Sequence, residues 1–263
     1  MPPSAQGRSP VDVPLRAYFG LAFGITWGVG GIALLSGELR GGGAPLHPLH
    51  YVAAFGPSLA GLLMAAATGG WAGLLEILAR LVPRAASIPW YAATLLGFPL
   101  VNVFVACLFF PEFRAHLPTW GRLLYLLPCT LITDTGPLGE EFGWRGFALP
   151  RMLVRQRPVY VALQLGVIWW AWHLPTFFIR TLSQHQLSIP LFLLNSVALS
   201  VIMMGLYLRT RGDLLLMICV HLAANYCGGI GVPFGVEVCV EVALALWILG
   251  KLISAGDGEK GKV

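Results

Sequence analysis

The chain has 263 residues, of which 57% are hydrophobic and 11% are charged, and its mean hydropathy is +0.74. This composition is typical of an integral membrane protein rather than of a water-soluble enzyme. The net charge of +5 does not indicate nucleic-acid binding, because the basic residues stand between apolar runs instead of forming one patch.

Eight apolar runs are long enough to be membrane-spanning helices, which need about 20 residues each. They cover residues 15–35, 51–68, 90–110, 123–142, 159–178, 189–208, 214–231 and 236–253. The runs are continuously apolar, which favours helices over strands. We therefore predict an all-α, polytopic membrane helix bundle. It forms a single domain over residues 14–253, between a disordered N-terminal segment, 1–13, and a C-terminal tail, 254–263.

The basic residues are divided unequally between the two sides of this predicted bundle. Twelve of them lie on the side that holds both chain ends, and four lie on the opposite side. The positive-inside rule then places both termini in the cytoplasm, and the even number of spans agrees with this. The short loops are more typical of a prokaryotic protein, so we expect a multi-pass protein in a prokaryotic cell membrane.

An acidic pair interrupts the apolar sequence, in the run GEEFGWRG at 139–146. Ionisable side chains at membrane depth cost several kcal/mol each and usually mark a functional site. On a helix, Glu141 and Arg145 share a face and can form an ion pair, whereas Glu140 points about 100° away. The alternative is that this run ends a span at the level of the lipid headgroups, where its charges are solvated.

Two further polar features lie on other predicted helices. His173 stands late in the fifth span, and His221 and Asn225 share one face of the seventh. Taken separately, each could be a structural hydrogen-bonding group between helices. Together with the two glutamates they supply a base, two imidazoles and a neutral donor, which are the groups that a water-activating hydrolase needs. The sequence contains neither a His-Glu-x-x-His zinc motif nor a Gly-x-Ser-x-Gly nucleophile motif.

The order of these motifs resembles the CAAX prenyl protease and bacteriocin-processing family, abbreviated CPBP or Abi. The similar pattern consists of Glu-Glu-x-x-x-Arg at 140–145, a late-span histidine at 173 and His-x-x-x-Asn at 221–225. The likeness is strong over about residues 120–230. One departure is Trp169, which stands where the family commonly has phenylalanine, four residues before the late-span histidine.

The resemblance implies an intramembrane endopeptidase of the glutamate type, with a polar cavity open to the cytoplasm. Glu140 would then activate a water molecule, His173 would position it, and His221 and Asn225 would stabilise the oxyanion. No metal and no other cofactor is expected. The implied substrate is a membrane-associated peptide at the lipid bilayer, either a prenylated, CAAX-like chain end or a leader peptide.

The resemblance gives Glu141 and Arg145 an organising role rather than a reactive one. Two other interpretations stay open. A non-catalytic immunity or scaffold protein could retain the same polar core for packing, and a proton-coupled transporter could use buried glutamate and histidine as a relay. The polar residues cluster near one end of the spans instead of tracing a path across the bilayer, which disfavours the transporter.

Overall fold

The computed structural model describes residues 12–35, 48–117, 119, 121, 130 and 134–258. The described part of the chain is helical and contains no β-strand, so the predicted all-α class is confirmed. Half of the predicted fourth span, residues 123–129 and 131–133, lies outside the described residues, as do residues 1–11 of the predicted disordered segment and 259–263 of the predicted tail.

We number the helices of the described chain in order. They are α1 (Asp12–Leu35), α2 (Pro48–Ala54), α3 (Gly56–Ala79), α4 (Ala85–Phe109), α5 (Pro111–Ala115), α6 (136–153), α7 (Pro158–His173), α8 (Ile189–Arg209), α9 (Leu214–Gly229) and α10 (Phe234–Gly258). Proline stands in the first turn of α3, α6, α7 and α8. At that position the missing N–H removes no intrahelical hydrogen bond, so proline favours the start of a helix.

By length and composition, three helices in the described residues, α3, α4 and α8, are long and apolar enough to cross a membrane, and α3 is interrupted by a kink at Gly70, whose φ is 58°. α9 is also apolar but has only 16 residues. Large apolar side chains on α4, among them Leu100, Phe104 and Leu108, are exposed in the monomer. A row of this kind fits a surface that faces lipid. The fold is therefore a membrane helix bundle. That it has eight spans stays a prediction.

The centre of the bundle lies where α3 crosses a π-helical turn of α6, at Phe142–Ala148. A Cβ on Gly143 would lie 2.1 Å from the carbonyl oxygen of Pro57, and a Cβ on Gly61 would lie 2.8 Å from the Cα of Gly143. Only glycine permits so close a backbone approach. The crossing therefore holds the two glutamates, which directly precede the π-helical turn, at a defined depth in the bundle.

One end of the bundle collects most of the basic side chains, and we call it the basic end. Arg80 donates a hydrogen bond to the carbonyl of Gly146 over 3.2 Å, and Arg84 donates to the carbonyl of Arg211 over 2.6 Å. The α3–α4 and α8–α9 connections therefore meet at this end. α6 also ends there, because Arg151 near its C-terminus lies within electrostatic range of Glu76 and Arg80. Its described basic residues are Arg16, Arg80, Arg84, Arg151, Arg155, Arg157, Arg209, Arg211 and Lys251.

The first and last helices both have their outer ends at the basic end. Tyr18, near the start of α1, packs on Phe147 with ring centroids 5.2 Å apart. Ile248, in the second half of α10, contacts Gly205 near the end of α8. The connections α1–α2, α7–α8 and α9–α10 lie at the opposite end, which we call the cavity end.

Candidate active site

A cavity of about 740 Å³ opens at the cavity end of the bundle. Its wall carries His173, His221 and Asn225, which come from α7 and α9, together with Trp169 and Asp134. The two glutamates of α6 lie just behind this wall and are buried, with 3% of Glu140 and 0% of Glu141 exposed. The fold thus brings together three motifs that are separated by up to 85 residues in the chain.

Glu140 is anchored through one of its two carboxylate oxygens. The indole Nε1 of Trp144 donates to Oε2 over 3.3 Å, and the indole Nε1 of Trp169 donates to the same oxygen. The other oxygen, Oε1, lies 3.9 Å from Nε2 of His173. That separation is too long for a direct hydrogen bond but suits a bridging water. The carboxylate therefore has one anchored oxygen and one oxygen directed at an imidazole.

Glu141 binds two nitrogen donors on a single oxygen. Nη1 of Arg145 donates to Oε1 over 2.9 Å, and Nδ1 of His221 donates to the same oxygen over 2.8 Å. The ion pair predicted from the spacing of Glu141 and Arg145 is thus present, and both side chains are buried. The guanidinium also lies 4.5 Å from the ring centre of Trp169, within range of a cation–π contact. Arg145 therefore supports both glutamates, one directly and the other through the tryptophan.

The tautomer of His173 follows from its backbone contact. Its Nδ1 lies 2.9 Å from the carbonyl oxygen of Trp169, which can only accept, so Nδ1 carries the hydrogen. In the neutral ring, Nε2 is then the acceptor that faces Glu140. The rings of Trp172 and Phe192 pack against the imidazole with centroids 4.6 Å and 5.1 Å away, and they hold it in this orientation.

Asn225 is held by a carboxylate that the sequence analysis did not identify. Its Nδ2 donates to Oδ2 of Asp134 over 2.6 Å, and Oδ1 of Asp134 accepts from the backbone N–H of Gly136 over 3.0 Å. A Cβ on Gly136 would lie 3.0 Å from Nε2 of His221 and 3.3 Å from Nδ2 of Asn225. The missing side chain at 136 therefore leaves space beside the two groups predicted to stabilise an oxyanion.

Sequence reasoning missed Asp134, Trp144 and Gly136 as parts of the site, and it treated Trp169 only as a departure from a motif. A signal for Asp134 was available, since it is an ionisable residue inside a predicted membrane span and six positions before Glu140. Both tryptophans could have been suspected because a buried indole N–H usually needs an acceptor. Which acceptor each one uses depends on the packing of α6 against α7.

Among the described residues, no group of three or more His, Cys, Asp or Glu side chains is arranged to hold a metal ion. The groups in the site are instead paired with one another or with nitrogen donors. The arrangement can hold a water molecule between a carboxylate and an imidazole, with amide and imidazole nitrogens on a neighbouring side.

Two predictions about orientation exclude each other in this fold. The sequence analysis placed both chain ends in the cytoplasm and also expected a cavity open to the cytoplasm. In the structure, the outer ends of α1 and α10 lie at the basic end, whereas the cavity opens at the opposite end. The physical reason is the alternating direction of the helices, which puts the α1–α2, α7–α8 and α9–α10 connections around the mouth.

Comparisons with known proteins agree with the motifs. Residues 119–227 match the family described as type II CAAX prenyl endopeptidase Rce1-like. CAAX prenyl protease 2 of Methanococcus maripaludis is 28% identical over 92 residues, which is 33% of this chain and 34% of that relative. The match thus spans about a third of the relative's length. The segment that carries all six predicted site residues matches the Rce1-like family, which agrees with the resemblance found in the motifs.

Proposed function

We propose that this protein is an intramembrane endopeptidase of the glutamate type, in which Glu140 activates the attacking water. The observation that carries the proposal is the asymmetry of this carboxylate. Its Oε2 is held by two indole donors, while Oε1 faces Nε2 of His173 at 3.9 Å. In a carboxylate that serves only packing or structural pairing, we would expect both oxygens to have direct partners. The 3.9 Å between Oε1 and the imidazole instead leaves space for a water.

The two acceptors define how a water would be oriented. A water between Oε1 of Glu140 and Nε2 of His173 donates one hydrogen to each, so its lone pairs point away from both and into the cavity. As the water oxygen attacks the substrate carbonyl carbon, its proton passes to Glu140. The same proton is then available to the leaving amide nitrogen when the C–N bond breaks, as general acid–base catalysis requires.

The developing oxyanion would be stabilised on the side of Gly136. Asn225 uses one hydrogen of Nδ2 for Asp134, which leaves the second hydrogen for an oxyanion. His221 donates from Nδ1 to Glu141, so only its protonated form also has an N–H at Nε2. Glu141 and Arg145 thus act as positioning residues, because they set the orientation of His221 without touching the substrate.

The proposed substrate is a membrane-associated peptide whose scissile bond enters the cavity. The name of the archaeal relative makes a CAAX-type chain end the first class to test. We further propose a multi-pass location in a prokaryotic cell membrane, with both termini in the cytoplasm, as the distribution of basic residues indicates.

Cleavage by the purified protein in lipid vesicles tests this function. The probe is an internally quenched peptide with a farnesylated CAAX end, compared with the same peptide without the lipid. Glu140→Gln should lower kcat by about 10²- to 10⁴-fold, the usual contribution of a general base. Glu76→Gln is the matched control, since Glu76 is exposed and forms its ion pair with Arg80 outside the site, and it should keep full activity.

Equal cleavage by both variants would refute the assignment of Glu140. A cellular phenotype that survives Glu140→Gln but disappears on deletion of the protein would favour the immunity or scaffold interpretation instead.

A further inference from the structure

We propose that the active-site cavity opens on the extracytoplasmic side of the membrane and receives exported or outward-facing, membrane-anchored peptides. The identity of the substrate rests on the proposed peptidase function, whereas the orientation of the cavity does not. The proposal combines three independent observations: a closed floor, an open mouth at the opposite end and a strong charge difference between the two ends.

The floor of the site is closed toward the basic end. Below the two glutamates lie Tyr18, Trp144, Phe147 and Leu214, each at most 1% exposed. Tyr18 and Trp144 meet edge to face with ring centroids 5.7 Å apart. An aromatic layer packed in this way leaves no passage for a peptide, because close-packed interiors have few voids larger than a water molecule. A substrate cannot reach Glu140 from the basic end without unfolding this layer.

The mouth of the cavity lies at the cavity end, where α1 forms hydrogen bonds to two neighbouring helices. Thr26 donates to the carbonyl of Ala53 over 2.7 Å, and the indole of Trp27 donates to the carbonyl of Trp172 over 3.0 Å. These bonds place the second half of α1 beside the end of α2 and the end of α7. Lining residues of this end, such as Gln186 and Asn225, are exposed to solvent. The path to the site therefore begins between the α7–α8 and α9–α10 connections.

The charges assign the two ends to the two sides of the membrane. The basic end carries nine described Lys and Arg residues. The described part of the cavity end carries two, Arg114 and Arg180. Short loops rich in Lys and Arg remain in the cytoplasm, and the bias in these residues sets the overall orientation. The rule therefore puts the basic end in the cytoplasm and the mouth of the cavity outside.

The lining of the cavity also indicates the chemistry of its ligand. The described lining residues include no Lys or Arg, while Asp134 and Glu237 are acidic. The lining also contains polar neutral groups such as Thr26 and Gln186 and aromatic rings such as Phe192 and Phe234. This surface suits a neutral or basic peptide segment next to an apolar anchor and disfavours an acidic one.

Labelling of two introduced cysteines tests the orientation in intact bacterial cells. Gln186→Cys places a thiol at the mouth, and Gln156→Cys places one at the basic end; both glutamines are exposed. The five native cysteines are replaced by alanine in both variants. A membrane-impermeant maleimide should label Gln186→Cys equally before and after permeabilisation, whereas it should label Gln156→Cys at least about tenfold more after permeabilisation.

The opposite labelling pattern, or protection of both positions in intact cells, would overturn the proposal. Labelling of both in intact cells would also overturn it, since the two ends would then not lie on opposite sides.

Membrane vesicles of known sidedness separate this proposal from the peptidase function. A water-soluble, internally quenched peptide with two lysines beside an apolar run is added to the outside. Right-side-out vesicles should cleave it, and inside-out vesicles should cleave it only after permeabilisation. The reverse preference, or cleavage only of a prenylated peptide by inside-out vesicles, would overturn the outward orientation. If neither preparation cleaves any peptide while the labelling pattern holds, the peptidase function fails and the orientation stands.

Discussion

Two pairs of glutamates are buried in this bundle, and their surroundings differ. Glu140 and Glu141 are neighbours in the chain, whereas Glu237 and Glu241 lie one helical turn apart on α10. The first pair accepts hydrogen bonds from two indoles, a guanidinium and an imidazole. The second pair has one described donor, Nδ2 of Asn195, which lies 2.6 Å from Oε2 of Glu241.

Position along a helix explains the difference. Adjacent residues point about 100° apart, so Glu140 and Glu141 meet different neighbours and each has its own donors. Residues four apart share a face, so Glu237 and Glu241 are directed at the same surroundings. No Lys or Arg contact to this second pair is found in the described part of the chain. Two carboxylates on one buried face repel each other, and no described cation offsets that repulsion. Burial of an acid is therefore a weaker mark of catalysis than the donors around it.

Removal of the cation from the first pair should give the largest effect on stability. Arg145→Met keeps the length of the side chain but leaves Glu141 buried without its guanidinium. We expect a loss of about 3–5 kcal/mol, the usual result of breaking a buried ion pair from one side. Thermal unfolding in detergent measures it. The double variant Arg145→Met/Glu141→Gln should recover part of the loss, and a single variant as stable as the parent would show that the pair contributes nothing.

Asp134 tests whether the site around the first pair depends on a further acid, the one that holds Asn225. Asp134→Ala removes the acceptor that holds Asn225, so the amide should lose its orientation toward the oxyanion. We expect kcat to fall by roughly ten- to a hundredfold with little change in KM, somewhat less than the loss of the donor itself. Asp134→Asn keeps an oxygen acceptor and should restore most of the activity. A change confined to KM would place Asp134 in substrate binding instead.

Trp169→Phe removes one donor from Glu140 while keeping an aromatic ring. It also introduces the residue that the CPBP family commonly has at this position. Hydrogen bonds to charged groups contribute about 1.5–3 kcal/mol, so kcat should fall about tenfold. Trp170→Phe is the matched control, because the indole of Trp170 donates to the carbonyl of Ile189, outside the site. Similar losses in both variants would mean that ring packing, and not the hydrogen bond, is responsible.

A substitution in the second pair, Glu237 and Glu241, should have the smallest effect on activity and stability. Glu241→Gln replaces a carboxyl group that has no described cation beside it with an amide of the same shape. We expect less than a twofold change in kcat and a change in unfolding free energy within about 1 kcal/mol. Steady-state cleavage and thermal unfolding measure both. A large loss of activity would show that the comparison between the two pairs is wrong and that α10 takes part in the reaction.

Much of the site could be predicted from local spacing in the sequence. The i,i+4 relation between Glu141 and Arg145 implied an ion pair, and the order of the three motifs implied the family. The all-α class followed from the apolar runs. Glu237 and Glu241 also lie in a predicted span, so their sequence positions alone mark them as candidate functional residues in the same way as Glu140 and Glu141.

The sequence by itself determined the all-α class, the resemblance to the CPBP family and the six candidate side chains, because these depend on periodicity and residue type. Only the tertiary structure decided which oxygen of Glu140 faces His173, that His221 pairs with Glu141 and that Asp134 holds Asn225. It also decided at which end the cavity opens. Each of these is a contact between helices far apart in the chain, and the close crossing at Gly61 and Gly143 sets their relative depth. Local periodicity contains no information about that depth, so only the packed bundle could reveal it.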